Sequence, residues 1–230
     1  MIDSVLNKIT VFLWHLFCLN LMLFASNLLL LGLLLFVILH FITLPLYLIA
    51  LFLLMISLQA MFLTLKRVEQ TEELTVFKQY RLAYVETIKN SGSLMVTYLA
   101  LFMILIFGYF STQFVAFNQG LFTSVYLLLA VLLYVHFIFG LLIQTHFVID
   151  GKGTWKLGFY CLVKYPIHCL LIFIKTLAVG WLVQVIPALL LLGIVPLFGY
   201  SILKMTKKVF DKLKEILLVE EVETGVNFLE

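Results

Sequence analysis

Residues 9–65 read ITVFLWHLFCLNLMLFASNLLLLGLLLFVILHFITLPLYLIALFLLMISLQAMFLTL, 57 positions without one Asp, Glu, Lys or Arg. The hydrocarbon core of a bilayer, about 30 Å thick, is crossed by about 20 residues of helix rising 1.5 Å each. The run is too long for one crossing and fits two, folded back as a hairpin. Two further stretches repeat the pattern. Residues 90–149 carry no charge over 60 positions, and residues 165–203 carry only Lys175 over 39. Three hairpins, six transmembrane helices in all, follow from this spacing. The expected fold is all-α, a polytopic membrane helix bundle.

Composition agrees. Of 230 residues, 64% are apolar and 12% charged, with a mean hydropathy of +1.16. Soluble domains carry about 45–50% apolar and 25% charged residues. Disordered chains, disulfide scaffolds and nucleic-acid readers need more charge or more cysteine than this, so no nucleic-acid partner is expected. Cys18, Cys161 and Cys169 are odd in number and lack C-x-x-C spacing. They fit small buried apolar side chains, with neither a disulfide framework nor a metal site. The apolar run after Lys8 far exceeds the roughly 7–15 residues of a signal-peptide core, and Ala25-Ser26-Asn27 is a poor cleavage site. The first segment is therefore expected to stay as a spanning helix.

Turns are placed by breakers. The first hairpin turns between His40 and Pro45, because proline suits the first turn of the second helix. A turn at Ser26-Asn27 would leave too short a first span. Asn118-Gln119-Gly120 separates helix three, about 94–115, from helix four, about 121–148. Pro166 opens helix five, the return lies near Pro187, and Pro196 and Gly199 would kink or loosen helix six.

Orientation comes from Lys and Arg, which keep short loops cytoplasmic. Lys8, the five basic residues from Lys66 to Lys89, Lys152, Lys156 and Lys164, and the five from Lys204 to Lys214 all fall on one side of this map. That is fourteen of fifteen. Both termini are then cytoplasmic in a multi-pass protein of a bacterial plasma membrane. Residues 1–203 form the transmembrane domain, with cytoplasmic loops at about 66–92 and 150–165. Residues 204–230 add a cytoplasmic amphipathic helix, with an apolar stripe from Met205 to Leu217, and a mobile acidic tail holding Glu220, Glu221, Glu223 and Glu230.

In the 66–92 loop Leu74, Phe77, Tyr80, Tyr84 and Ile88 recur at helical spacing. Such a helix either lies on the inner membrane surface or offers a docking face to a cytoplasmic partner. Between helices four and five, Ile149-Asp150-Gly151 leads through Trp155 and Phe159 to Tyr165-Pro166. This segment resembles the coupling loop of ABC importer permeases. It departs from that pattern in a longer Asp150-to-Pro166 spacing, and in Thr145-His146-Phe147 where Glu-Ala-Ala would stand. A glycine turn followed by an interfacial helix is the plainer alternative. Candidate partner-docking residues are Phe77, Tyr80, Tyr84, Asp150, Gly151 and Trp155.

Asn20, Asn27, Gln59, Gln144 and Gln184 are the amides expected within or near spans, where interhelical hydrogen bonds contribute about 0.6–2 kcal/mol each. Structural glue is the plain reading, and a substrate path lined by amides is the other. Lys175 lacks an intramembrane carboxylate partner, so it snorkels, loses its proton or pairs with another subunit. No Walker A loop, H-E-x-x-H or G-x-S-x-G occurs. The expectation is a non-enzyme with no catalytic residue, cofactor or metal.

Several stretches together resemble the YesL family of small bacterial membrane proteins. Asn27, Gly32 and Pro45 follow the family's order in the first hairpin. Lys66-Arg67, Val76-Phe77-Lys78-Gln79-Tyr80 and Lys89-Asn90-Ser91 match its first cytoplasmic loop. Pro187, Pro196-Leu197-Phe198-Gly199-Tyr200-Ser201 and Lys207-Lys208-Val209-Phe210 match its C-terminal part. One departure is the longer stretch between Pro45 and Lys66. The resemblance implies carbohydrate-use operons, and from it an accessory subunit of a carbohydrate ABC importer, with permease subunits and the lipid bilayer as partners. Two alternatives stay open. One is a self-contained channel or facilitator. The other is a regulatory protein that binds a cytoplasmic factor through the 66–92 loop.

Overall fold

The computed structural model describes the backbone of residues 2–38, 40, 42–71, 75–112 and 119–224, and the side chains of 7, 9–38, 40, 42–69, 75–112 and 119–217. Among the described residues every regular element is helical. In order these are α1 (Ile2–Ser26), α2 (Leu28–Phe36), α3 (Leu44–Thr71), α4 (Val76–Ser111), α5 (Gln119–His146), α6 (Gly151–Lys164), α7 (Pro166–Val185), a 3-10 turn at Pro187–Leu190, and α8 (Ile194–Thr224). Among the described residues five helices are long and apolar enough to cross a membrane: α1 from Ile9, α3 as far as Glu69, α4, α5 and α7. A multi-pass helical membrane protein is the result. α8 is not one of the five. Its apolar opening ends at Leu203, before the lysines that start at Lys204. Ten residues of helix cover only about 15 Å, half the hydrocarbon core.

The part of the first uncharged stretch before the His40–Pro45 turn is two helices, where one continuous span is expected. α1 stops at Ser26 and α2 begins at Leu28. The cause is Asn27. Its side-chain amide donates to the Leu23 carbonyl at 2.8 Å, the acceptor that its own backbone N–H would use in an unbroken helix. That N–H turns instead to the Phe24 carbonyl at 3.0 Å. Short polar side chains interrupt helices by this competition. The end of α2 is then held by Tyr47, whose hydroxyl reaches the carbonyls of Leu33 (3.0 Å) and Val37 (2.6 Å).

The prolines act as the sequence suggests. Pro45 lies in the first turn of α3, Pro166 opens α7, and Pro187 opens the 3-10 turn after α7 ends. Gly193 has φ +95°, a left-handed conformation open to glycine, and from it the chain enters α8. Pro196 sits in the first turn of α8, where its missing N–H costs no bond. The helix is unbroken through Gly199, and continues past Glu220, Glu221 and Glu223 to Thr224, where the sequence predicts a mobile tail. Glu230, Leu74, Asn118 and Val115 lie outside the described residues.

The 66–92 loop is largely not a loop. α3 extends to Thr71, and α4 starts at Val76 and passes unbroken through Gly92 to Ser111. The amphipathic segment and the third span are one 36-residue helix, about 54 Å long. Its buried side chains are Val76, Tyr80, Ala83, Thr87, Ser91, Leu94, Met95 and Tyr98, which apart from the adjacent Leu94 and Met95 are spaced three or four apart.

One large hydrophobic core joins the helices other than α2, and a small separate cluster of Leu33, Tyr47 and Ala50 seats α2 on α3. Ile56, Phe62, Tyr98, Phe139, Leu142, Ile202 and Phe210 are among the large core's fully buried members. Cys18 and Cys161 are buried and Cys169 half-buried, all as free thiols.

Candidate functional site

The intramembrane amides are the natural starting point, because unpaired polar groups are costly in an apolar medium. Asn20 on α1 donates to the carbonyls of Leu190 (2.8 Å) and Leu191 (3.0 Å), which ties α1 to the turn before α8. Asn27 also donates to Ser57 Oγ on α3 at 2.7 Å. Gln59 donates to Thr145 Oγ1 on α5 at 3.3 Å, and Gln144 to Thr154 Oγ1 on α6 at 3.2 Å. Each amide thus serves a different helix junction. Gln184 is exposed near the end of α7. The arrangement of the other four amides fits interhelical glue. The oxygens of Asn20, Asn27, Gln59 and Gln144 accept no hydrogen bond among the described residues.

Lys175 meets a partner inside the chain. Its Nζ donates to Ser201 Oγ at 2.6 Å and lies 3.4 Å from the Ser201 carbonyl, across α7 and α8. An ammonium needs acceptors, and a hydroxyl with a carbonyl supplies them where no carboxylate is near. Sequence reasoning looks for a carboxylate and misses this pair.

It also misses His136 and Tyr98, which face each other across α4 and α5. Tyr98 Oη lies 2.8 Å from His136 Nδ1, and His136 Nε2 lies 3.3 Å from the Trp155 carbonyl. A carbonyl only accepts, so Nε2 carries the proton and Nδ1 accepts the tyrosine O–H. The Trp155 ring stacks on both, with centroids 4.4 Å from His136 and 4.8 Å from Tyr98. A Cβ on Gly158 would fall 2.6 Å from His136 Nε2, so the α6 backbone approaches this pair too closely for a side chain there. Two i, i+4 partners on one helix would have been visible in sequence. A Tyr and a His 38 positions apart are not.

The proposed docking residues separate in the same way. Asp150 caps α6: its Oδ1 accepts from the Gly153 N–H at 2.8 Å. Gly151 packs toward Leu94, and Trp155 is held in the aromatic stack just described. Ile149 packs against the core of its own bundle, while Asp150 stays exposed. Tyr80 is buried, its hydroxyl 2.8 Å from Ser26 Oγ at the end of α1, and Tyr84 is half-buried. Phe77 is different, with 51% of its surface exposed.

Phe77 belongs to a second face of α4. Opposite the buried stripe, Phe77, Arg81, Leu82, Val85, Ile88 and Lys89 are all exposed. Beside it, the end of α1 and the first turns of α4 enclose a groove of about 520 Å³, with Met22, Ala25, Phe77, Lys78, Arg81 and Val85 in its walls. Apolar walls with two cations at the rim can hold an amphipathic, acidic segment.

No family model, curated protein or solved structure matches this chain. Function is therefore read from the geometry. Among the described residues, no three His, Cys, Asp or Glu side chains gather as a metal centre requires.

Proposed function

We propose that this protein is a non-enzymatic membrane subunit that works by docking, and that its partner is the permease portion of a carbohydrate ABC importer. The observation that carries the docking reading is the exposed apolar and basic face of α4 from Phe77 to Lys89. A solvated helix face has no need of Phe77, Leu82, Val85 and Ile88 together, whereas a partner or lipid surface does. The importer itself follows from the resemblance to the YesL family. In this reading the plasma membrane is bacterial and both termini are cytoplasmic. Residues 187–203, as the 3-10 turn and the opening of α8, return the chain to the side that holds its lysines.

A photo-crosslinking residue at Phe77 or Val85 should capture permease subunits in cells, and mild detergent should co-purify them. A crosslinker at Leu142, inside the bundle, should not. Recovery of the protein alone under both conditions would overturn the proposal. A reporter fused after Glu230 tests the orientation separately, since it must be active only in the cytoplasm.

A further inference from the structure

The lysines of α8 are all exposed, and three of them line one cavity. Lys204, Lys207 and Lys214 are spaced three and seven apart, so they share a face of the helix with Asp211. That face turns back toward α3 and the last turn of α5 and closes a cavity of about 330 Å³. Lys66 and Glu69 of α3 complete its charged wall. Four ammonium groups and two carboxylates line one small space, a surplus of two positive charges. The nearby carboxylate of Glu86 cannot offset this, because Arg67 already holds it in an ion pair at 2.5 Å.

Two of the wall residues, Lys66 and His146, are held in place by α5 and α8. Lys66 Nζ donates to the Thr145 carbonyl at 2.8 Å, which holds it at the mouth of α5. The His146 ring lies flat on Phe210, with centroids 4.4 Å apart and planes within 4°. Its Nδ1 bonds the Leu142 carbonyl at 2.9 Å, so Nε2 is its second polar atom. Converging cations repel one another, and an anion relieves that repulsion. A phosphomonoester carries about −1.5 to −2 charges and three acceptor oxygens, which matches the surplus. A phosphodiester headgroup carries one charge and offsets part of it, and lysines serve as point-charge partners for either.

We infer that this cavity between α3, α5 and α8 is an anion site that takes a phosphate group, from either a free phosphorylated molecule or a lipid headgroup. The site does not depend on the docking face of α4, which lies elsewhere on the bundle.

The test uses the full chain in mild detergent at constant ionic strength, with pyrophosphate as the free probe and phosphatidylglycerol as the lipid probe. Tm is followed against pyrophosphate concentration, and retained lipid is counted by native mass spectrometry. The variant K207Q/K214Q removes two exposed wall lysines, and K156Q/K164Q removes two exposed lysines of α6 outside the cavity. A saturable rise in Tm with pyrophosphate is expected, with an apparent Kd weakened at least about tenfold in K207Q/K214Q and unchanged in K156Q/K164Q. If only phosphatidylglycerol is retained, and K207Q/K214Q alone loses it, the site stands with a lipid as its source. Binding of neither probe, or equal loss in both variants, overturns the inference.

Discussion

The two halves of α5 have similar apolar composition and opposite surroundings. Val135 to Ile143 are buried without interruption. Leu121, Phe122, Val125, Leu127, Leu128, Leu129 and Leu132 are exposed. The buried half carries His136, Gly140, Gln144 and Thr145, which bond or pack against α3, α4 and α6. The exposed half carries leucines that touch little protein. Lipid tails are as apolar as leucine, so hydropathy cannot tell the two apart. Packing is decided by the few residues that need a protein neighbour.

The widest gap between the halves should appear on truncation. Leu142, fully buried, and Leu128, 60% exposed, sit on the same helix. Leu142→Ala should cost about 2–5 kcal/mol, as for large-to-small substitutions in packed cores, and Leu128→Ala should stay within about 0.5 kcal/mol. Unfolding of both variants in the same detergent would measure this. Equal losses would mean that the outer half is also packed.

Added volume should give the next largest difference. Gly158→Ala places a methyl against the His136 ring and should cost about 1–3 kcal/mol. Gly120, at the start of the exposed half, has nothing within 4 Å of the place a methyl would take, and Gly120→Ala should be neutral or slightly stabilising in its helix. A thermal-shift comparison separates the two.

Tyr98→Phe keeps the ring stack and removes the O–H that His136 Nδ1 accepts. A loss of about 1–2 kcal/mol is expected from the unpaired nitrogen. A smaller loss would mean that Trp155 stacking, not the hydrogen bond, holds this junction.

The smallest effect concerns Cys161 on α6. Burial pushes its thiol up from an ordinary 9.0 to about 12. The neutral form is favoured by folding, so its contribution to stability is complete below pH 9 and fades as pH rises toward 12. Maleimide labelling of the folded protein at pH 8 should therefore be much slower at Cys161 than after unfolding. Rapid labelling in the folded state would mean that α6 opens away from α5.

Much of the helical plan was legible. Uncharged stretches too long for one crossing, with Pro45, Pro166 and Pro187 between helices, predict most of the spans and turns that the bundle shows. Asp150 before Gly151 marks the turn into α6. The failures share a cause. Asn27 looks like one more amide within a long helix, yet its side chain captures the Leu23 carbonyl and ends α1. Phe77 and Tyr80 look equivalent in a helical stripe, yet Tyr80 reaches Ser26 and Phe77 faces outward. Lys175 looks unpartnered, because Ser201 is 26 positions away.

By itself the amino-acid sequence determined that this chain is helical and resides in a membrane, because charge-free runs leave backbone groups no solvent and only helices satisfy them internally. Which face of each helix meets protein, which amides join which helices, and that lysines of α8 share a cavity wall with Lys66 and Glu69 of α3 were decided by the tertiary structure. Those outcomes depend on contacts between residues far apart in the chain, and no local pattern of hydropathy records them.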